Sequence, residues 1–567
     1  MSDSSFTSPA DVLAEAQALE VLPAGELAAR LQTLRGHYRA APEHFTPHSL
    51  QLLRQAGVRA SRGAIDEQAE RAVAALGEVF GYASFRAGQL EIIQAVMAGR
   101  DCLALMPTGA GKSLTYQIPA RLKGGITLVV SPLISLMKDQ VDAMNEVGIR
   151  ATFLNSSLGA GQREQRERAL RAGQYELLYA APEGLDASVG RLLGSLDLQM
   201  IAVDEAHCIS EWGHDFRPAY RNLAGLKERF PGVPVLALTA TATPAVRRDI
   251  IAQLALREPL EVRGSFYRPN LHLSAVKKGR GAGVRDMILK FVRSRRGQAG
   301  IVYCLSRSAA ESSAQFLKAR GVRAAAYHAG MTPALRAATQ EQFSRDDLDV
   351  VCATIAFGMG IDKSNVRYVL HRDMPRSIEG YYQEIGRAGR DGAVAECVLF
   401  YSWADVIALD RLLAGSSAQD PQVADQQRAA ARRMFELADT AACTWRRLAA
   451  HFAESIEPCG QSCGVCTGRE LSTRAARPPA PARSPEPASE SPPELASTLF
   501  ERLRALRKQL ADERGVPAYV VFSDRTLQDM AAHRPRTPAE LLAVHGVGHK
   551  KLEAYGERFL AELREAD

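Results

Sequence analysis

From about Phe80 onward the chain alternates short apolar runs with amphipathic stretches. DCLALM, ITLVVS, YELLYAA, MIAVDEAH and PVLALTAT come first; after a pause near 284–299 follow GIVYCLS, VRAAAYHAG, LDVVCAT and VRYVLHR. The runs lack strict period-two alternation, the texture of strands buried on both faces by crossover helices, so the pattern predicts parallel sheets. Two groups of runs predict two consecutive α/β domains, over 79–275 and 276–412. Residues 1–78 are rich in Ala, Leu and Arg with helical periodicity at 23–38 and 65–76, which predicts a helical N-terminal extension carrying no chemistry. Residues 413–470 read as helices that run into a cluster of cysteines. The stretch 471–494 is dense in Pro, Ala, Ser and Glu and cannot build a core, so it reads as a disordered linker. With coil scaling its reach is about 25–30 Å, a loose tether for the compact all-α pattern over 495–567.

Composition narrows this picture only a little. Hydrophobic residues make up 46% and charged residues 24% of the 567, ordinary for globular protein, and the net charge of +6 is compatible with a polyanionic partner without requiring one. The N-terminus shows no basic segment followed by an apolar one, and no apolar run approaches a membrane-spanning length. A cytoplasmic protein with no membrane partner is expected, associated with the nucleoid if bacterial. Nine cysteines in such a reducing setting are not expected as disulfides. Cys102, Cys208, Cys304, Cys352 and Cys397 stand singly in apolar stretches and should be buried packing.

Chemistry enters where DCLALM runs into PTGAGKS and then the helical LTYQIPARL. A strand, a glycine-bearing loop and a helix N-terminus make a cradle of backbone N–H groups for phosphate. Thr108, Gly109, Ala110, Gly111, Lys112 and Ser113 form the cradle, with Lys112 a point charge for the β- and γ-phosphates and the Ser113 hydroxyl a ligand for Mg²⁺. Met106 stands where the strict pattern asks for Gly, and taken alone the loop also fits a kinase or a GTPase. MIAVDEAH ends an apolar strand in Asp204 and Glu205, one carboxylate to hold Mg²⁺ and a second to orient or deprotonate water. In the other α/β domain SIEGYYQEIGRAGRDG carries Gln383, Arg387 and Arg390 at helix-like spacing, and positive charge delivered across a cleft is how an arginine finger works.

Together GAGKS, DEAH, LTATAT (238–243) and QEIGRAGR resemble the motif series of superfamily 2 helicases, and further segments narrow the resemblance to RecQ-type helicases. FGYASFRAGQ resembles that family's adenine-reading segment and carries the role to Tyr82, Arg86 and Gln89. DEAHCISEWGHDFRPAY resembles its aromatic-rich loop, which implies that Trp212, His214, Phe216 and Arg217 couple DNA contact to hydrolysis and that His207 belongs to the catalytic set. YRPNL (267–271), YHAGM (327–331) and TIAFGMGIDKSNVR (354–367) also match. The resemblance covers 79–412 closely and implies two tandem RecA-like domains with ATP between them, moving 3′ to 5′ on DNA in repair and recombination. Read from the residues alone, Trp212 and Phe216 offer sequence-tolerant stacking for bases, or else are core.

Cys443, Cys459, Cys463 and Cys466 present a lone thiol, a fifteen-residue gap and then C-x₃-C-x₂-C, spacings that a closed tetrahedral Zn²⁺ site accepts. RecQ proteins carry a similar zinc module at this place, although the 459–463 gap is one residue longer than the usual pair. Residues 495–567 resemble the HRDC domain, and within it AVHGVGHKKLEAYG resembles a helix–hairpin–helix. Gly546 and Gly548 would then offer backbone N–H groups to phosphate, with Lys550 and Lys551 behind them, unless the turn is simply a basic cap. Many RecQ proteins insert a winged helix between zinc module and HRDC; here only the Pro-rich stretch lies between. The expectation is an ATP-, Mg²⁺- and Zn²⁺-dependent monomeric motor on single-stranded, tailed or forked DNA, with single-strand-binding and recombination proteins as partners. An RNA-dependent ATPase and a scaffold with a silent motor are the rival readings.

Overall fold

In a computed structural model, residues 6, 8–19, 22, 24–132, 134–156, 158–185, 189–211, 216–279, 283–358, 363–414, 421–468 and 493–565 are described. Residues 1–75 form a helical unit of their own. Pro9–Ala18, Ala24–Ala40 and the first part of Pro47–Phe80 close on a small apolar cluster of Val12, Leu19, Leu27, Leu31 and Leu34.

The second unit is built on two parallel sheets. The first contains β1 (Cys102–Leu105), β2 (Ile126–Val130), β3 (Ala151–Leu154), β4 (Leu177–Ala180), β5 (Leu198–Val203), β6 (Val235–Thr239) and β7 (Leu260–Arg263), in the order β3-β4-β2-β5-β6-β1-β7. The second contains β8 (Leu271–Lys277), β9 (Ala299–Tyr303), β10 (Ala324–Tyr327), β11 (Val350–Ala353), β12 (Val366–His371) and β13 (Ala395–Tyr401), in the order β10-β11-β9-β12-β13-β8. β1, β2, β4, β6, β9 and β11 are buried at every position, which is why they read as unbroken apolar runs. The pattern missed β7 and β8, edge strands whose burial is partial, along with β3 and β13. β8 pairs with β13, so the change of sheet falls in the connector 264–270, ahead of the break at 275/276 expected from the pattern.

The segment directly after β13 does not start a new core, whereas the C-terminal bundle closes on its own, around Leu503, Phe522, Leu527, Leu541 and Phe559. One apolar cluster runs from Leu271, Ile301 and Val369 of the second sheet into Trp445, Leu448, Phe452 and Cys463. Trp445 is fully buried and its Nε1 donates to Leu271 O at 3.2 Å and Ser462 O at 3.1 Å. Cys102, Cys208, Cys304, Cys352 and Cys397 are all buried free thiols. Among the described residues no helix is long and apolar enough to cross a membrane.

The linker expected over 471–494 lies almost wholly outside the described residues, but the bundle after it, led by helix Pro493–Arg514, is seated on both sheet domains. On the first, Gly546 N donates to Gly81 O at 3.1 Å, and Arg514 Nη1 and Tyr555 Oη contact Glu146 Oε2 at 3.3 and 3.1 Å. On the second, Lys508 Nζ reaches Asp347 at 2.6 Å and Arg504 donates to Gly297 O at 2.7 Å. Beneath these lies a buried ion network: Lys363 Nζ meets Asp346 at 2.5 Å, and Arg507, itself bonded to Asp524 at 2.7 Å, lies 3.7 Å from Asp346. Burial works against the Asp346 carboxylate, but Lys363 and Arg507 hold its pKa down to about 2. A depressed carboxyl stabilises above its free pKa near 4, and that contribution is lost as pH falls towards 2. With a protease site placed between Leu471 and Glu494 and cut, the bundle should co-elute with the rest of the chain at neutral pH. Asp346→Asn tolerates the left-handed backbone at this position (φ 63°) but leaves two buried cations short of an anion. It should weaken the seat by about 3 kcal/mol and release the bundle, whereas co-elution as firm as that of the parent would refute this account.

Candidate active site

The loop between β1 and helix Leu114–Lys123 turns on Gly109 (φ 82°) and Gly111 (φ 79°). A Cβ at Gly111 would fall 2.5 Å from Gln89 Nε2, so only glycine lets that side chain close on the loop. Gln89 is buried; its Nε2 donates to Ala110 O at 3.1 Å and Gly111 O at 2.9 Å, while its Oε1 accepts from Arg86 N at 2.8 Å. The Arg86 guanidinium takes Gly109 O. Gln89 and Arg86, expected to read the base, thus also brace the phosphate loop. Tyr82 stacks on Phe80 (centroids 6.3 Å) and meets His545 of the C-terminal bundle at a tilt (4.9 Å, 31°), and burial raises its pKa.

Lys112 Nζ donates to Met106 O at 3.2 Å. Burial pushes its pKa down, Glu205 and Asp204 push it back up, and Arg390 and Arg268 add to the fall. The five groups therefore share one electrostatic neighbourhood. Asp204 follows β5 directly and is fixed through its N–H to Val130 O (2.9 Å) and its carbonyl to the Tyr220 hydroxyl (2.8 Å). Glu205 occupies the left-handed region (φ 49°), a strained backbone for a non-glycine residue that turns its carboxylate back towards His207 Nδ1 at 3.4 Å. His207 is fully buried and meets Thr239 Oγ1 at 3.0 Å, joining DEAH to LTATAT.

The second face comes from the other sheet, and it differs from expectation. Helix Ile378–Ile385 carries Gln383, but Arg387 and Arg390 lie beyond its end, on a turn. Gly386 caps the helix, and Gly389 (φ 56°) and Gly392 (φ 85°) break helical geometry, so the helix-like spacing of the arginines was misleading. A Cβ at Gly386 would sit 3.0 Å from Thr108 Cβ, and one at Gly109 would sit 3.4 Å from Arg390 Cα. The two domains meet here with the Thr108 side chain against Gly386 and the Arg390 backbone at van der Waals distance from Gly109. Arg387 is buried inward, beside Tyr303 and 3.5 Å from where a Gly358 Cβ would stand. Sequence reasoning gave no role to Arg268 and Asn270 of YRPNL, though the motif itself was the signal: both hold this turn by its carbonyls. Of the aromatic-rich loop, Trp212 and His214 lie outside the described residues. Phe216 is half-buried with the Arg221 guanidinium 5.6 Å from its ring, and Arg217 Nη1 donates to Pro132 O at 3.1 Å.

The Sγ atoms of Cys443, Cys459, Cys463 and Cys466 all lie within 4.8 Å of one another. Cys443 and Cys463 are 3.9 Å apart, close to the edge of about 3.8 Å for a tetrahedron with Zn–S bonds of about 2.3 Å. Burial opposes the Cys463 thiolate, yet N–H groups of Cys466 and Thr444 bring its pKa down to about 7. The donor set fits a closed structural metal site, and the longer 459–463 gap does not prevent convergence.

A phosphate loop on one parallel-sheet domain, met by an arginine-bearing turn from a second, defines a two-domain ATP-driven motor of the helicase class. Family models agree along the chain: DEAD/DEAH box helicase over 86–250, helicase conserved C-terminal domain over 283–392, RecQ zinc-binding over 403–467 and HRDC domain over 496–563. The chain is 38% identical to the ATP-dependent DNA helicase RecQ of Pasteurella multocida, over 88% of this chain and 94% of that one. It is also 38% identical to that of Bacillus subtilis, over 87% and 98%. The chain belongs to the RecQ family of ATP-dependent DNA helicases. Among solved structures, the Mycobacterium smegmatis helicase Lhr bound to ssDNA and AMP-PNP aligns with a TM-score of 0.48 at 19% identity, covering 80% of this chain and 72% of that one.

The brace on the phosphate loop is open to direct measurement. Gln89→Ala leaves two loop carbonyls and one amide without their partner in a buried place, and should cost about 1–3 kcal/mol of stability in urea unfolding without nucleotide. Unchanged stability would mean that the loop holds its shape unaided.

Proposed function

We propose that this chain hydrolyses ATP to ADP and phosphate while moving 3′ to 5′ along single-stranded DNA, unwinding tailed or forked duplex in repair and recombination. The observation that carries the reading is the split pocket, with Lys112, Asp204 and Glu205 on one wall and Arg390 on the other in contact across the phosphate loop. Backbone N–H groups of 108–113 bind the phosphates, and Lys112 places its charge on the β- and γ-positions. Ser113 and Asp204 would hold Mg²⁺, which supplies charge neutralisation at the phosphates. Glu205 orients the attacking water and passes its state to His207; Arg390 answers the charge that develops on the transferred phosphoryl group, with Gln383 and Arg387 shaping its turn. Tyr82, Arg86 and Gln89 receive the adenine. Trp212, His214, Phe216 and Arg217 report DNA occupancy to the adjacent DEAH carboxylates by base stacking and phosphate contact.

Lys112→Ala should abolish turnover by removing phosphate binding, and Glu205→Gln should keep ATP bound while lowering kcat by about 100-fold or more. Single-stranded DNA should stimulate turnover well above a matched RNA, and unwinding should require a 3′ tail. Turnover surviving Lys112→Ala would refute the site, and equal stimulation by RNA would refute the substrate class. Cys443, Cys459, Cys463 and Cys466 would hold one structural Zn²⁺. Elemental analysis should find about one zinc per chain, and its chelation should lower the melting temperature of the second sheet domain, which shares a core with the module. Zinc undiminished in a Cys463→Ser, Cys466→Ser double variant would overturn that assignment.

A further inference from the structure

The connector 264–270, between β7 and β8, carries a buried cation that the split pocket does not itself require. Arg268 is 8% exposed, and burial lowers its pKa to about 10. Its Nη1 donates to Gly386 O at 3.0 Å, and its Nη2 donates to Ala388 O at 3.0 Å and Gly389 O at 2.7 Å. Asn270 Nδ2 adds bonds to Gly389 O at 2.9 Å and Ala393 O at 3.0 Å. All the acceptors belong to the turn on which Arg387 and Arg390 sit.

We infer that Arg268 is a positioning residue for hydrolysis, fixing the Gly386–Gly389 turn so that Arg390 is aimed at the phosphate loop. Both Nη2 hydrogens are spent on turn carbonyls, so this fork is committed to the turn although it lies 3.5 Å from where a Gly109 Cβ would stand. Those carbonyls follow a helix C-terminus and carry partial negative charge beside the place for ATP; a planar guanidinium neutralises three of them at once, which a point charge cannot. The connector is itself held from behind. Phe266 stacks on Phe452 at 4.4 Å, its N–H donates to Glu454 at 2.7 Å, and its carbonyl accepts from Tyr382 Oη at 3.0 Å. Arg268 therefore reaches the turn from a fixed base.

The inference rests on the reading of Arg390 as the transition-state arginine, and a double-mutant cycle separates the two. Arg268→Ala should lower DNA-stimulated kcat by about 10–100-fold, the cost of misplacing a catalytic group by about 1 Å, while KM and the affinity for a fluorescent ATP analogue change by less than about threefold. Arg268→Lys should recover little of the loss. Asn270→Ala, a gentler cut at the same turn, should act in the same direction and serves if Arg268→Ala fails to fold. In an Arg390→Ala background, adding Arg268→Ala or Asn270→Ala should change kcat by less than about twofold, because each acts through the side chain already removed. Effects that multiply would make Arg268 merely structural, and a loss of nucleotide affinity equal to the loss of kcat would make it a ligand; either overturns the inference. A fall in kcat for Arg390→Ala but not for Arg268→Ala or Asn270→Ala overturns this inference alone. Full kcat in Arg390→Ala overturns the site reading and this inference with it.

Discussion

A pocket divided between two sheets depends on two backbones being able to touch, and in this chain they do so at glycines. Gly386 faces Thr108 so closely that a Cβ would lie 3.0 Å from the Thr108 Cβ and press on it, while Gly109, in a left-handed backbone (φ 82°) that disfavours a side chain, lies at van der Waals distance from Arg390 Cα. At that distance the loop's N–H groups and the turn's carbonyls act as fixed dipoles facing one another. Every other arrangement around the site bears on this contact: Gln89 and Arg86 brace one side of it, and Arg268 and Asn270 brace the other.

The second brace leads away from the site along a continuous path. Arg268 and Phe266 belong to one connector, Phe266 packs on Phe452 and bonds Glu454, and Trp445 bonds Leu271 and Ser462 beside the cysteine cluster. The cysteine-bearing segment has no core of its own and packs into that of the second sheet through Trp445, Leu448 and Phe452. What folds that segment therefore also fixes the strand that begins the sheet and the connector that aims the turn.

The C-terminal bundle shows how far a local signal goes. The glycine hairpin at 546–548 exposes a backbone N–H, as its sequence suggests, but the acceptor is Gly81 O of the first sheet domain and not a phosphate. Lys550 lies with its methylenes against Gly148, and burial brings the Lys551 ammonium down to about 8. A freed N–H donates to whichever acceptor is brought to it, and here a buried ion network helps seat the bundle that carries it.

The sequence by itself determined the features whose causes are short-range. Unbroken apolar runs mark strands buried on both faces, GAGKS sets the dihedral freedom of its loop, DEAH ends its strand in two carboxylates, and four cysteines at metal spacing converge. It misplaced Arg387 and Arg390 on a helix because helical spacing outweighed the intervening Gly386 and Gly389, and it passed over β7 and β8 because edge strands alternate or expose their faces. Only the tertiary structure decided that Arg268 serves a turn more than a hundred residues away, that Gln89 grips the phosphate loop and that the hairpin meets Gly81. The physical reason is the same in each case. A side chain's type fixes what it can donate or accept, while its partner is chosen by packing between segments distant in the chain, and one sequence read locally contains no distance between them.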